Sequence, residues 1–480
     1  MPDDQNFEAV IGLEVHIQLL TNSKLFCGDS TLFGAAPNSH VSAISLAHPG
    51  TMPMVNNEAI ELAILLGLAF ECEITRYNYF ARKHYFYPDL PKGFQVTQHT
   101  TPICKGGVVQ IIVGDTERKV QLNRIHLEED AGKSVHDADE FATCIDLNRA
   151  GVPLLEMVTE PDLFSADEAF AFLTEVRKIV RYLEVCDGNM EEGSLRCDAN
   201  VSIRKAGEKK LGTKVEIKNL NSIRNVKKAI EFEIKRQANE LNTGEKIYQE
   251  TRSFDADKGI TFSMREKEEA NDYRYFPEPD VAPFVVSEER INEIRSSLPQ
   301  LPGVLEKKFI DKYNLTAESA RVICDDRSTI NFFREIINYT SHYKAAANWI
   351  IGPVKNYLNE HSSQKIFPFP TKTMALLIDM AEEGKVSFGE ASAKIFPLLI
   401  ESPGASPIDI AMRLNLFQEK DSDTLLSWVD EVLNEMPDKV ADFKKGKKNL
   451  IGLFAGEVKK KSNGKADMAA VNKLLLEKLK

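Results

Sequence analysis

The sequence predicts an α+β fold. An antiparallel sheet with a few helices laid against it is expected over roughly the first 285 residues, and helices over the rest. Three observations carry this. Short alternating polar and apolar segments, punctuated by Gly, Pro and Asn, fill the first part of the chain, as strands with one buried face do. After Pro277-Glu278-Pro279-Asp280 the apolar spacing becomes helical, in Ser287 to Ser297, Leu305 to Tyr313 and Met374 to Glu383. Glu401-Ser402-Pro403-Gly404-Ala405-Ser406-Pro407 then reads as a linker to a small helical tail.

Two helices are expected inside the sheet region. Ser165-Ala166-Asp167-Glu168 has capping-box spacing, and Phe170, Leu173, Val176, Ile179 and Leu183 recur on one face up to Asp187-Gly188. A second helix runs from about Ser222 to Leu241, with Val226, Ile230 and Ile234 inward and Arg224, Lys227, Lys228 and Lys235 available to solvent or phosphate.

A chain of 480 residues with 43% hydrophobic composition buries roughly three-quarters of its unfolded surface in two to four domains. The longest apolar stretch, Ala59 to Phe70, contains Glu61 and is too short to cross a ~30 Å hydrocarbon layer. Met1-Pro2-Asp3-Asp4 has neither a cationic flank nor an apolar signal core, so a soluble cytoplasmic protein with no membrane partner is expected. Cys27, Cys72, Cys104, Cys144, Cys186, Cys197 and Cys324 are scattered and never spaced Cys-x-x-Cys, which suggests neither a disulfide framework nor a thiolate zinc cage. The net charge of −12 argues against a cationic coat for nucleic acid, but its distribution is uneven. Residues 443–480 carry eleven lysines against three acids, a local +8 that leaves −20 on the body. Body and tail should have different partners.

Chemistry is suggested by polar strand faces. Leu195 to Ile203 alternates strictly, so Arg196, Asp198, Asn200 and Ser202 share one face, suited to metal and phosphate; a merely solvated face is the alternative. Lys214, Glu216 and Lys218 share a side of the next segment, where surface ion pairing competes with a phosphate clamp. Glu14, His16 and Gln18 share a face near the start, and Glu and His two apart can ligate one cation, although a hydrogen-bonded strand histidine is the commoner case. Ile125 to Ser134 ends a strand in Glu128, Glu129 and Asp130, whose repulsion a hard ion such as Mg²⁺ or a lysine would offset; a solvated acidic turn is the alternative. Gly132-Lys133-Ser134 imitates a phosphate loop, but Leu127 stands where its first glycine should be. An ATP site would therefore use sheet carboxylates, Mg²⁺ and cations drawn from Lys83, Arg149, Arg196, Lys214, Lys218, Arg265 and Arg274. His84 to Asp89 and Asp272 to Pro277 could wall it, or be ordinary core and turn. No amidase or serine-elbow nucleophile pattern is present, so this chain is not expected to release ammonia itself.

Seven segments in this order resemble the B-subunit family of aspartyl/glutamyl-tRNA amidotransferases. They are Ile11 to Leu19 (IGLEVHIQL), Lys83 to Lys92 (KHYFYPDLPK), Ile125 to Ser134 (IHLEEDAGKS), Ile145 to Pro161 (IDLNRAGVPLLEMVTEP), Met190 to Arg204 (MEEGSLRCDANVSIR), Lys214 to Ser222 (KVEIKNLNS) and Asp272 to Pro279 (DYRYFPEP). The resemblance implies a glutamine synthetase-like cradle domain over 1–288, a helical domain over 289–402 and a YqeY-like tail over 408–480. It implies an ATP- and Mg²⁺-dependent ligase that phosphorylates the side chain of Glu-tRNA(Gln) or Asp-tRNA(Asn). Ammonia would arrive from an amidase-type A subunit, with a small C subunit bracing the pair.

Carried over, Glu14, His16, Glu129, Glu192 and Asp198 are expected near the metals, with Glu128 and Glu191 as close competitors. Lys83 with Glu128 or Glu129 is expected at the mouth of an ammonia channel, and Arg196 among the catalytic groups. Lys444, Lys445, Lys447, Lys448 and Lys459 to Lys461 are expected against the tRNA backbone. Some family members hold zinc through paired cysteines after the first strand; here Asp29 follows Cys27 by two and no cysteine lies between Ala35 and Gly50, so no zinc is expected. Two rival readings are a free-standing glutamine synthetase-like amide ligase and a non-catalytic tRNA-binding scaffold.

Overall fold

A strand from Phe7 to Gln18 (β1) organises the first part of the chain. Its alternation buries Leu13, Val15 and Ile17 completely and leaves Glu14, His16 and Gln18 half-buried on the other face. The strands assembled around it are β2 (Ala81–Lys83), β3 (Gln95–Thr97), β4 (Thr116–Glu129) and β5 (Pro153–Thr159) on one side. On the other are β6 (Leu195–Lys205), β7 (Val215–Leu220), β8 (Glu250–Asp255) and β9 (Ile260–Glu266); β10 (Phe276–Pro277) closes the far edge. The order across the sheet is β9-β8-β7-β6-β1-β5-β4-β3-β2-β10, with short strands at 73–74, 104–105 and 108–113 attached at the side.

The structure, a computed structural model, describes residues 7–136, 138–266, 273–361, 367, 369–419, 421–462 and 464–479, without the side chains of 265 and 266. The chain divides into two units, Met1–Leu301 and Pro302–Lys480.

The sheet is mixed rather than purely antiparallel as expected, because β7 and β8 run parallel, with Glu216 opposite Thr251. The cause is the helix between them, α2 (Ile223–Asn242), which crosses over the apolar face and returns the chain in the same direction. Helix α1 (Ala166–Tyr182) lies beside it. The Ser165 hydroxyl caps α1 by accepting from the Glu168 amide at 3.1 Å, and the Glu168 carboxylate accepts from the Phe164 amide at 2.7 Å. Phe170, expected inward, is 40% exposed; the buried stripe runs through Ala169, Phe172, Leu173, Val176 and Val180 and leaves it at the edge. In α2, Ile234 is only half-buried, whereas Glu233 is fully buried. Glu233 accepts from Arg236, Gln237 and Thr261, an ionic knot that ties α2 to β9.

Helix Glu288–Ser297, capped by Ser287, packs on helix Asn57–Ala69 within the first unit. Apart from an isolated bridge between Glu419 and Ala466, the regular structure of the second unit's described residues is helical, and 402–406 lies between helices Phe396–Glu401 and Pro407–Arg413. Its last segment has a core of its own, built on Leu425, Val429, Phe454, Val458, Val471 and Leu475.

Replacing Ser165 with Ala should destabilise the first unit by about 1 kcal/mol, the usual worth of such a cap. Urea unfolding followed by circular dichroism measures it.

Candidate active site

The polar face of the sheet is a continuous row of charged groups fixed by strand register. Glu14 stands opposite Asp198, and His16 opposite Arg196 on one side and Glu156 on the other. Glu156 stands opposite His126, and Glu128 opposite Thr97. Asn200 stands opposite Glu216.

At the centre, His16, Glu128 and Glu156 offer ligand atoms within 4.8 Å of one another. His16 Nε2 lies 3.4 Å from Glu156, and His126 Nε2 lies 3.3 Å from Glu128 and 3.7 Å from Glu156. Thr97 donates to Glu128 at 3.0 Å. Burial works to raise the Glu156 carboxyl, but His126, His16 and Lys83 outweigh it and hold it well below the usual range. Burial opposes the His16 imidazolium, yet its hydrogen bond and attraction to Glu156 raise its pKa. Lys83 behaves likewise, burial being overcome by Glu128 and Glu156. Its ammonium sits 5.0 Å from the Tyr273 ring and 5.5 Å from Tyr85, so both predicted aromatic segments reach this wall. Asp272 lies outside the described residues.

Beside the triad lies a second acidic group. Glu14 accepts from Asn200 at 3.1 Å; burial and the carboxylates of Glu156, Asp198 and Glu216 push its pKa up. Lys218 binds Asp198 at 2.6 Å and Glu216 at 3.3 Å, and Thr251 donates to Glu216 at 2.9 Å. Arg196 grips Asp130, one nitrogen at 2.8 Å from both oxygens.

The expected residues therefore separate. Glu14, His16, Lys83, Glu128, Arg196, Asp198 and Lys218 share the polar face. Glu129 does not, because successive residues of a strand point to opposite faces. It binds Lys92 at 2.5 Å and the Val96 amide at 2.8 Å, and lines a cavity of about 370 Å³ together with Lys24, Phe26, Arg82 and Phe94. Glu192 is exposed in a turn ahead of β6, hydrogen-bonded through its amide to Asn189. Arg149 donates to the carbonyls of Ala131 and Gly132 at 2.9 and 2.6 Å, which makes it a brace for that turn. Lys214 is exposed before β7, and Arg274 is exposed with φ of 47°. Arg265 pairs through its backbone with Thr251; its side chain lies outside the described residues. Near Cys27, its thiol is 3.4 Å from the Ser45 hydroxyl, and Asp29 accepts from the Ser42 amide at 2.8 Å and from Ser45.

Sequence reasoning passed over Glu156 and His126 as site groups, and named Glu216 only between two lysines and Asp130 only within the acidic run. Glu156 had a visible signal, a single acid within the apolar run Pro153-Leu154-Leu155-Glu156-Met157-Val158. Strand pairing, which no local pattern encodes, is what makes it the hub.

Residues 9–292 match the family model described as the GatB/GatE catalytic domain, and residues 331–479 the one described as the GatB domain. The chain is 46% identical over 475 residues to the B subunit of the aspartyl/glutamyl-tRNA(Asn/Gln) amidotransferase of Nitratidesulfovibrio vulgaris (strain DP4), covering 99% of both chains. It is 45% identical over 476 residues to the protein of that name from Thermodesulfovibrio yellowstonii, again covering 99% of each. With that of Geotalea daltonii it shares 46% over 477 residues, 98% of this chain and 99% of the relative.

A divalent cation bound through His16 would need the neutral imidazole. Because Glu156 raises the His16 pKa, cation affinity should fall as pH drops through that raised value, and His16→Gln should flatten this dependence. Calorimetric titration with Mn²⁺ alone, at a series of pH values, checks it.

Proposed function

The chain belongs to the GatB/GatE family of tRNA-dependent amidotransferase subunits, and from that premise we propose that its polar sheet face is an ATP-dependent phosphorylation site for a tRNA-linked acidic side chain. The observation that carries the proposal is the convergence of His16, Glu128 and Glu156 beside Lys83 and Arg196. Two carboxylates and an imidazole within 4.8 Å suit a hard divalent ion. Mg²⁺ held there, and a second near Glu14, Asp198 and Glu216, would offset the charge of the triphosphate against the substrate carboxylate.

Lys83 and Arg196 then bind phosphoryl oxygens, and Lys218 steadies Asp198 and Glu216. A side-chain carboxylate oxygen of Glu-tRNA(Gln), Asp-tRNA(Asn) or both attacks the γ-phosphorus, and ADP leaves. Ammonia then attacks the acyl carbon, phosphate departs with the C–O bond electrons, and the nitrogen loses a proton. Ammonia comes from an amidase-type A subunit, with a small C subunit completing the enzyme. Glu128 and Glu129 are adjacent in sequence yet serve opposite faces, so the cavity at Glu129 and Lys92 offers a route by which ammonia reaches the cradle.

In the tail, Lys461 is engaged by Glu431 and Glu435, Lys460 by Glu457 and Lys447 by Asp442, while Lys448 lies 4.4 Å from the Phe443 ring. Lys444, Lys445 and Lys459 are exposed, and we assign them to the tRNA backbone. The cradle, helical and tail parts implied by the family are retained as the working division, within which the tail's separate core supports a distinct end domain. No described helix is long and apolar enough to cross a membrane.

In the assembled heterotrimer, Glu128→Gln and Asp198→Ala should each lower ATP-dependent amidation of misacylated tRNA by about 10³-fold or more, as removal of central transition-state groups does. Glutaminase activity and tRNA binding should stay near wild type. Unchanged amidation in both variants overturns the site.

A further inference from the structure

Asp130 follows directly after β4 and is 3% exposed, yet it carries a charge. Its carboxylate accepts from Arg196 at 2.8 Å on both oxygens, from Gln18 at 2.6 Å and from the Ala131 amide at 2.9 Å, with Arg149 at 3.7 Å. Its backbone is fixed as well, the amide donating to Val152 at 2.8 Å and the carbonyl accepting from Gly151 at 2.9 Å. Gln18 and Arg196 belong to the polar face, so Asp130 reaches that face from the strand end rather than from within the row.

Two guanidinium groups on one carboxylate leave a surplus positive charge. Arg196 spends one nitrogen on Asp130, and its Nε is buried with no partner. An unsatisfied buried N–H is unfavourable unless a ligand completes it. Arg196 stands opposite His16, and its charge reaches Asp198 and Glu128. The unpartnered donor therefore belongs to a side chain set beside His16, Glu128 and Asp198 on the polar face.

We propose that Asp130 is a positioning residue for phosphoryl transfer: by holding one nitrogen of Arg196 it fixes the guanidinium so that its remaining N–H groups meet an anionic oxygen at the cradle floor. This rests on the reading of Arg196 as a phosphate contact. Arg149, which braces the turn at Ala131 and Gly132, steadies Asp130 in turn.

A double-mutant cycle in the assembled heterotrimer tests it, using wild type, D130N, R196A and D130N/R196A, with amidation of misacylated tRNA, glutaminase activity and thermal midpoint read for each. D130N should lower amidation kcat/KM about 10- to 100-fold, the usual effect of losing an outer partner of a functional group. In the R196A background the same change should cost less than about 2-fold, because the Arg196 guanidinium that Asp130 orients is then absent. Glutaminase activity should not move. A purely structural role would give losses that multiply in both backgrounds; that result overturns the inference, and an impaired R196A leaves the site reading intact. An R196A enzyme that amidates normally overturns both. If D130N fails to assemble, D130E, which keeps the charge but shifts the carboxylate, goes through the same cycle under the same criterion.

Discussion

Carboxylates set side by side in a partly buried row repel one another and resist ionisation unless each meets a cation or a donor. The polar sheet face satisfies this constraint pair by pair. Glu156 lies among His16, His126 and Lys83; Asp198 takes Lys218; Asp130 takes Arg196; and Glu128 takes Thr97 and His126. Glu14 is the exception, since the groups around it are mainly other acids and its pKa rises accordingly. Glu14 is therefore the acid that an external positive charge would relieve most, which supports the proposed reading of the polar face as a cation and phosphate site.

The opposite face supplies the rigidity. Leu13, Val15 and Ile17 have no exposed surface, and the equivalent residues of β6, Cys197, Ala199 and Val201, are equally buried. Helix α2 covers this side and is fastened through Glu233 to Thr261 of β9, the strand paired with β8, whose Thr251 donates to Glu216. The crossover that makes β8 parallel to β7 thus brings a remote hydroxyl to the acidic group.

Much of this was legible in the sequence. Period-two alternation correctly assigned Glu14, His16, Arg196 and Asp198 to one surface, because that is a property of each strand alone. The cap at Ser165 was legible for the same local reason. Glu156 and Glu216 owe their importance to register between strands separated by many residues, and the mixed sheet to a crossover whose direction the alternation does not encode. Glu128, Glu129 and Asp130 are one acidic run in the sequence, whereas the pleat distributes them to different places. Charge alone does not fix a partner: Arg149 donates to backbone carbonyls, whereas Lys218 stays on the polar face between Asp198 and Glu216.

That distribution makes the end of β4 sensitive to length. Glu128 faces the cradle, Glu129 the cavity, and Asp130 anchors Arg196, so three adjacent positions have three different surroundings. Conservative replacement at any one of them disturbs one surrounding. Insertion or deletion of a single residue after Leu127 would move every group to its neighbour's place, sending a cradle acid into the cavity and a cavity acid into the row of metal-site candidates. The strand end therefore behaves as a reading frame, tolerant in places of a changed letter and intolerant of a shifted one.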